Sequence, residues 1–103
     1  MNTRRFGRTG WQVSEIGFGA WGIGGGDWGA ADDAQSVSAL ERAIELGVNF
    51  LDTAFDYGKG HSERLVGRVA TASGKRQGEE LYVATKIPPK NERWPAPSGI
   101  ALD

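Results

Sequence analysis

A parallel α/β fold is what this sequence predicts, on three observations. Short apolar runs alternate with amphipathic helical segments in the order hairpin, then β-α-β-α-β. The unit from one strand to the next takes about 30 residues, the length of a right-handed crossover that contains a helix. The run "VNFLDTA" is apolar nearly throughout, as expected of a strand covered on both faces. Such an order suits either a doubly wound sheet or the first part of an eight-fold barrel.

Residues 3–14, "TRRFGRTGWQVS", read as a β-hairpin. Phe6, Trp11 and Val13 flank "GRTG", whose glycines can take the positive φ of a tight turn. "SEIGFG" follows as a short buried strand, and after it comes the glycine-rich stretch of residues 16–29. "ADDAQSVSALERAIELG" is an amphipathic helix. Val37, Leu40, Ala43 and Ile44 fall at helical spacing, Asp32 or Asp33 serves as N-cap and Gly47 stands just past the end. "VNFLDTA" is the second strand of the parallel set, and "FDYGKGHSE" is a loop.

The second helix begins near Ser62 and runs through "ERLVGRVATAS". Leu65, Val66, Val69 and Ala70 lie on one side, with Gly74 as the stop. Hydrophilic "GKRQGEE" leads to the third strand, "LYVATKI". In "PPKNERWPAPSGIALD" four prolines forbid regular structure over most of the segment.

Composition narrows the function. At 103 residues the chain amounts to one domain at most. Its 39% hydrophobic and 24% charged residues are ordinary for a soluble globular protein. A net charge of -1 supplies no basic face for nucleic acid. The absence of cysteine removes disulfides, thiolate metal sites and a thiol nucleophile; no metal is assigned. The start has two arginines but no apolar signal-peptide core, and no run is long enough to span a bilayer, so no membrane partner is expected and the cytoplasm is the expected location.

Glycine supplies 16 of the 103 residues, and "IGFGAWGIGGGDWG" concentrates them, with G-x-G-x-x-G spacing at Gly17, Gly19 and Gly22. A dinucleotide-binding fingerprint places its third glycine in the first turn of a helix, so that the free N–H groups meet the pyrophosphate. Here the helix cannot begin before about Asp32, which disfavours a Rossmann-type site. The composition leaves two readings of the loop open. It is glycine-rich so that a ligand or the sheet edge can approach its backbone, or it is a flexible loop with Trp21 and Trp28 tucked on the core.

Asp52 closes the second strand, Lys86 closes the third, and Tyr57 lies five residues past Asp52. All three belong to the carboxyl ends of strands, where parallel α/β folds place their sites. A buried Asp and Lys on adjacent strands are expected to pair, because an unpaired buried charge is very costly. A tyrosine beside that ammonium has its phenolate stabilised and becomes a competent proton donor near neutral pH. Residue by residue, a purely structural Asp–Lys pair with Tyr57 capping the core accounts for the same facts.

Taken together, "GVNFLDTAFDYGKGHSERLVG", "YVATKI" and the opening "GRTGWQVSEIGFGAWGIGG" resemble the aldo-keto reductases over essentially the whole chain. The resemblance implies the N-terminal part of a (β/α)8 TIM barrel with its floor plugged by the hairpin. It also implies NADPH (NADP+) bound without a Rossmann fold, and reduction of a small-molecule carbonyl substrate, an aldehyde or ketone, to the alcohol. Under it Tyr57 is the general acid, Lys86 its activator and Asp52 the balance for the lysine. Gly19, Ala20, Trp21 and Asp52 contribute to the cofactor and substrate site. NADPH rather than NADH is inherited from the family, since no residue here reads the 2′-phosphate.

The resemblance further implies a catalytic histidine after a fourth strand, and the 103 residues end before it. His61, at a variable position of the loop, reads as a solvated helix-entry residue. Three strands of eight make a partial barrel. Taken alone it is expected to bind NADPH weakly or not at all, to show no reductase activity and to self-associate through its open edge. Two alternatives stand beside this one, a non-catalytic binding or regulatory module of the same fold and the disfavoured Rossmann-like domain. Retention of Asp52, Tyr57 and Lys86 together argues against the first. Trp94, in the proline-rich segment, is either a wall of the substrate site or part of a structural loop.

Overall fold

Residues 1–25 and 32–89 are described by the structure, a computed structural model. Trp28, Trp94 and the chain from residue 90 onward lie outside the described residues. The elements in order are β1 (Thr3–Arg5), β2 (Gln12–Ser14), β3 (Phe18–Gly19), α1 (Asp33–Glu45), β4 (Phe50–Asp52), α2 (His61–Ala72) and β5 (Tyr82–Ala84).

Strands β1 and β2 form the antiparallel hairpin, with Arg4 opposite Val13. A short 3-10 turn over Gly7–Thr9 joins them, and Gly10 closes that turn in the left-handed region at φ 74°. Phe6 and Trp11 fall just outside the paired residues. There the Phe6 N–H donates to the Trp11 carbonyl at 2.8 Å and the two rings stack.

The other three strands make one parallel sheet in the order β3-β4-β5. Their register sets Gly19 beside Asp52 and Asp52 beside Ala84. Both helices cover the same face, where Leu40 and Ile44 of α1 and Val66, Val69 and Ala70 of α2 enclose Leu51, Ala20 and Leu81 in one core. Sequential strand order with both crossover helices on one side is the winding shared by the first part of a barrel and by one half of a doubly wound sheet.

The helices form where the apolar spacing places them. The Asp32 carboxylate caps α1 by accepting from the Ala34 and Gln35 N–H groups. Gly60, at φ 90°, precedes α2, whose buried stripe is Leu65, Val66, Val69 and Ala70. The strands are shorter than the apolar runs that signal them. β3 pairs over two residues only, because the Ser14 hydroxyl donates to the Ile16 carbonyl at 2.7 Å and bends the chain there, leaving Ile16 exposed. β5 ends at Ala84 because its partner β4 ends at Asp52, so Lys86 stands two residues beyond the last paired residue.

The hairpin closes the amino end of the sheet. Phe6 meets Phe50, the first residue of β4, at 5.6 Å between ring centroids, and Trp11 stacks on Tyr82, the first residue of β5, at 4.8 Å. Asn49 is the clamp. Its Oδ1 accepts from the Ser14 N–H at 2.7 Å, its Nδ2 donates to the Gln12 carbonyl at 2.9 Å, and its own N–H donates to the Ser14 hydroxyl at 3.1 Å. With that end occupied, the carboxyl end is left for the site. No helix among the described residues is long and apolar enough to cross a membrane.

Candidate active site

At the carboxyl end of the sheet the chain gathers a carboxylate, an ammonium and a phenol. The Lys86 ammonium donates to both Asp52 oxygens, at 2.8 and 3.0 Å, to the Thr53 carbonyl at 3.1 Å and to the Tyr57 hydroxyl at 3.2 Å. It also stands 5.1 Å from the centroid of the Tyr57 ring. Each group arrives by a different route: Asp52 ends β4, Tyr57 sits in the turn before α2, and Lys86 leaves β5. The structure therefore brings all three predicted residues to one point.

It does not bury them. The Lys86 and Asp52 side chains are 53% and 41% exposed, where the sequence predicts a buried pair. The physical reason is the position of Lys86 past the end of β5, on a mouth framed by only three described strands. Solvent screens such a pair, so its worth lies in geometry more than in stability. Its hydrogen bond to Asp52 still raises the Lys86 pKa above the ordinary lysine value; desolvation opposes this in part, and Tyr57 adds to it.

Because the folded value is the raised one, the pairing contributes fully at and below the ordinary lysine pKa and is lost only as pH rises through the folded value. Lys86 is thus an ammonium throughout the physiological range. In an Asp52→Asn variant we expect the Lys86 side-chain titration, followed by NMR of its Cε and Nζ, to fall back toward the ordinary lysine value. An unmoved midpoint would exclude Asp52 as the group that holds the charge.

Trp21 stacks against Tyr57 with 6.0 Å between centroids and 23° between planes. Gly19, in register with Asp52, has no heavy atom within 4 Å of where a Cβ would sit. The face of β3 beside the carboxylate is therefore a bare shelf on which a flat ring could rest. Ala20 is different: its side chain is wholly buried in the core, its N–H donates to the Asp52 carbonyl and its carbonyl accepts from Ser62. Of the four residues expected at a cofactor site, Gly19, Trp21 and Asp52 open to the mouth and Ala20 supports them from behind.

Two supports were not legible in the sequence. Thr53 and Ser62 share a 2.8 Å buried hydroxyl contact, and Ser62 passes its hydrogen to the Ala20 carbonyl at 2.8 Å. This relay joins β4, α2 and the end of β3 behind the charged cluster. A polar residue within an apolar run, as Thr53 is in "FLDTA", is the signal that could have shown it, since a buried hydroxyl needs a partner. The second support is Thr85, which donates to the Glu63 carboxylate beside the Lys86 backbone; nothing local in sequence announces that pair. His61 is not merely solvated. Its Nε2 lies 2.7 Å from Asp33 Oδ1, so it ties the start of α2 to the start of α1.

A model of the aldo/keto reductase family matches residues 15–100. The aldo-keto reductase YhdN of Bacillus subtilis (strain 168) is 41% identical over 78 residues, which are 76% of this chain and 23% of that protein. Among solved structures, the aldo-keto reductase from Klebsiella pneumoniae in complex with NADPH superposes with a TM-score of 0.69 at 30% identity, covering 92% of this chain and 31% of its own. A thermostable aldo-keto reductase in complex with the inhibitor epalrestat gives 0.71 at 36% identity, covering 87% and 32%. The chain spans about a quarter of the length of the curated relatives it matches.

Proposed function

This chain belongs to the aldo/keto reductase family, its three parallel strands being the N-terminal part of a (β/α)8 barrel, and from that premise we propose that its open mouth delivers the proton in NADPH-dependent reduction of an aldehyde or ketone to an alcohol. The observation that carries this reading is the contact of one ammonium with both a carboxylate and a phenol, at 2.8 and 3.2 Å.

NADPH supplies a hydride when bound. The residues that would hold it here are Gly19, Trp21 and Asp52, and the bare shelf at Gly19 is what fits a flat ring. The work of the chain's own side chains is proton transfer. Tyr57 donates its hydroxyl proton to the carbonyl oxygen of the substrate as negative charge grows there. The Lys86 ammonium stabilises the phenolate left behind, and Asp52 holds Lys86 in place and offsets its charge. Trp21 shields one side of the Tyr57 ring, so a carbonyl approaches the hydroxyl from the open side of the mouth.

The 103 residues alone are expected to give no measurable turnover, because a mouth where Lys86 is half exposed does not exclude water from the reacting groups. The test is a chimera in which residues 15–100 replace the matched segment of the Bacillus subtilis relative. We expect it to consume NADPH in the presence of a simple aromatic aldehyde. A chimera that folds and binds NADPH without turnover would refute the proposal. A location in the cytoplasm belongs to the same reading.

Self-association is the further expectation. Val83 of β5 is 40% exposed and Ile87, three residues past the end of that strand, is 80% exposed, and the outer edge of β5 has no strand beside it among the described residues. Sedimentation of the 103-residue protein should show oligomers that dissociate in a Val83→Lys variant. A monomer at all concentrations would contradict this.

A further inference from the structure

The glycine-rich loop after β3 crosses the turn that carries Tyr57, and it does so backbone on backbone. A Cβ built on Gly24 would lie 2.6 Å from the Tyr57 carbonyl oxygen, 2.7 Å from its carbonyl carbon and 3.1 Å from the Tyr57 Cβ. A Cβ on Gly58 would run into the Gly24 carbonyl oxygen and stand 2.9 Å from its carbonyl carbon. Real Cβ atoms do not come so close to backbone, so neither position accepts a side chain without moving one strand of the crossing.

The two glycines differ in why they are glycine. Gly58 sits at φ 72°, where any L side chain is strained. Gly24 is not among the positive-φ residues, so alanine suits its backbone and only the crossing excludes it. Gly22, in the same loop, has neither constraint: no atom lies within 4 Å of its Cβ position and its φ is not positive.

We infer that Gly24 is a positioning residue for Tyr57, its missing side chain letting the loop after β3 seat directly on the Tyr57 peptide and fix where the phenol oxygen meets Lys86. The inference rests on the assignment of Tyr57 as proton donor. The Tyr57 peptide is held from two sides, with Gly24 over it and its carbonyl accepting from the Ser62 N–H at 3.1 Å. The same loop brings Trp21 onto the ring, and the Gly24 N–H closes that turn by donating to the Trp21 carbonyl at 3.1 Å. With the backbone clamped, two side-chain torsions remain to place the hydroxyl, 3.2 Å from the ammonium. A shift of the peptide by about 1 Å breaks that contact, the scale of misplacement that costs on the order of 100-fold in rate.

The experiment reads Tyr57 without needing turnover. The protein has two tyrosines, Tyr57 and Tyr82, and incorporation of 3-fluorotyrosine gives one fluorine resonance for each, assigned by Tyr57→Phe. Gly24→Ala is expected to displace the Tyr57 line by several line widths and leave Tyr82, stacked on Trp11 at the far end of the sheet, unmoved. Gly22→Ala is expected to move neither. A general loosening of the fold would disturb both lines, and loss of loop flexibility would act equally at Gly22 and Gly24.

An unmoved Tyr57 line in Gly24→Ala, or an equal shift in Gly22→Ala, overturns the inference. The unsubstituted protein gives a second reading: nuclear Overhauser contacts between Gly24 and the 57–58 segment are expected, and their absence overturns it even should Gly24→Ala fail to fold. Because the lines report geometry and the chimera reports chemistry, failure of the positioning role and failure of the reductase reading are separate results.

Discussion

Replacing Tyr57 by phenylalanine in the chimera is expected to lower kcat by roughly 10²- to 10⁴-fold, the range that general acid catalysis supplies, with little change in the KM for NADPH. The substitution removes one oxygen and keeps the ring against Trp21, so the stack at 6.0 Å survives while the proton donor does not. Lys86→Met should cause a loss of comparable kind, because an uncharged side chain no longer stabilises the phenolate from 3.2 Å. If Lys86 acts through Tyr57, the two losses do not add, and the double variant is no slower than Tyr57→Phe alone. Full additivity would mean that the ammonium acts on the substrate directly. Turnover retained in Tyr57→Phe would remove the phenol from the reaction.

The largest effect on the fold is expected at Leu51. It is the middle residue of the central strand, has no solvent exposure and is enclosed by the side chains of α1 and α2. Leu51→Ala should cost ~2–5 kcal/mol, from lost transfer energy and the cavity left in a core that cannot collapse around it. Against a total of about 5–15 kcal/mol for an ordinary domain, that is a large share. Val83 is its register partner on β5 and is 40% exposed. Val83→Ala should cost well under half as much, since it opens no enclosed cavity. Urea unfolding followed by circular dichroism compares the two, and equal costs would show that the core is not centred on Leu51.

The spacing of apolar side chains determined the helices and their buried faces, because helical periodicity is a local property that four or five neighbouring residues already express. Leu40 with Ile44, and Leu65 with Val66, Val69 and Ala70, are buried as that spacing requires. The dense motif through Asp52 and Tyr57, joined to the lysine of the third strand, made the family and the cluster of three legible before any coordinates. Strand ends were less legible, because a strand extends only as far as its partner does, and β4 stops at Asp52.

Tertiary structure alone decided whatever depends on two segments meeting. It put Lys86 on an exposed mouth, turned Ala20 into the core, set Asn49 as the clamp of the hairpin and tied His61 to Asp33. It also gave Gly24 its meaning. A glycine that is bare for the sake of its backbone angle can be suspected from the turn it occupies, whereas one that is bare because another chain segment passes over it cannot, since the reason lies thirty-three residues away, at the Tyr57 peptide.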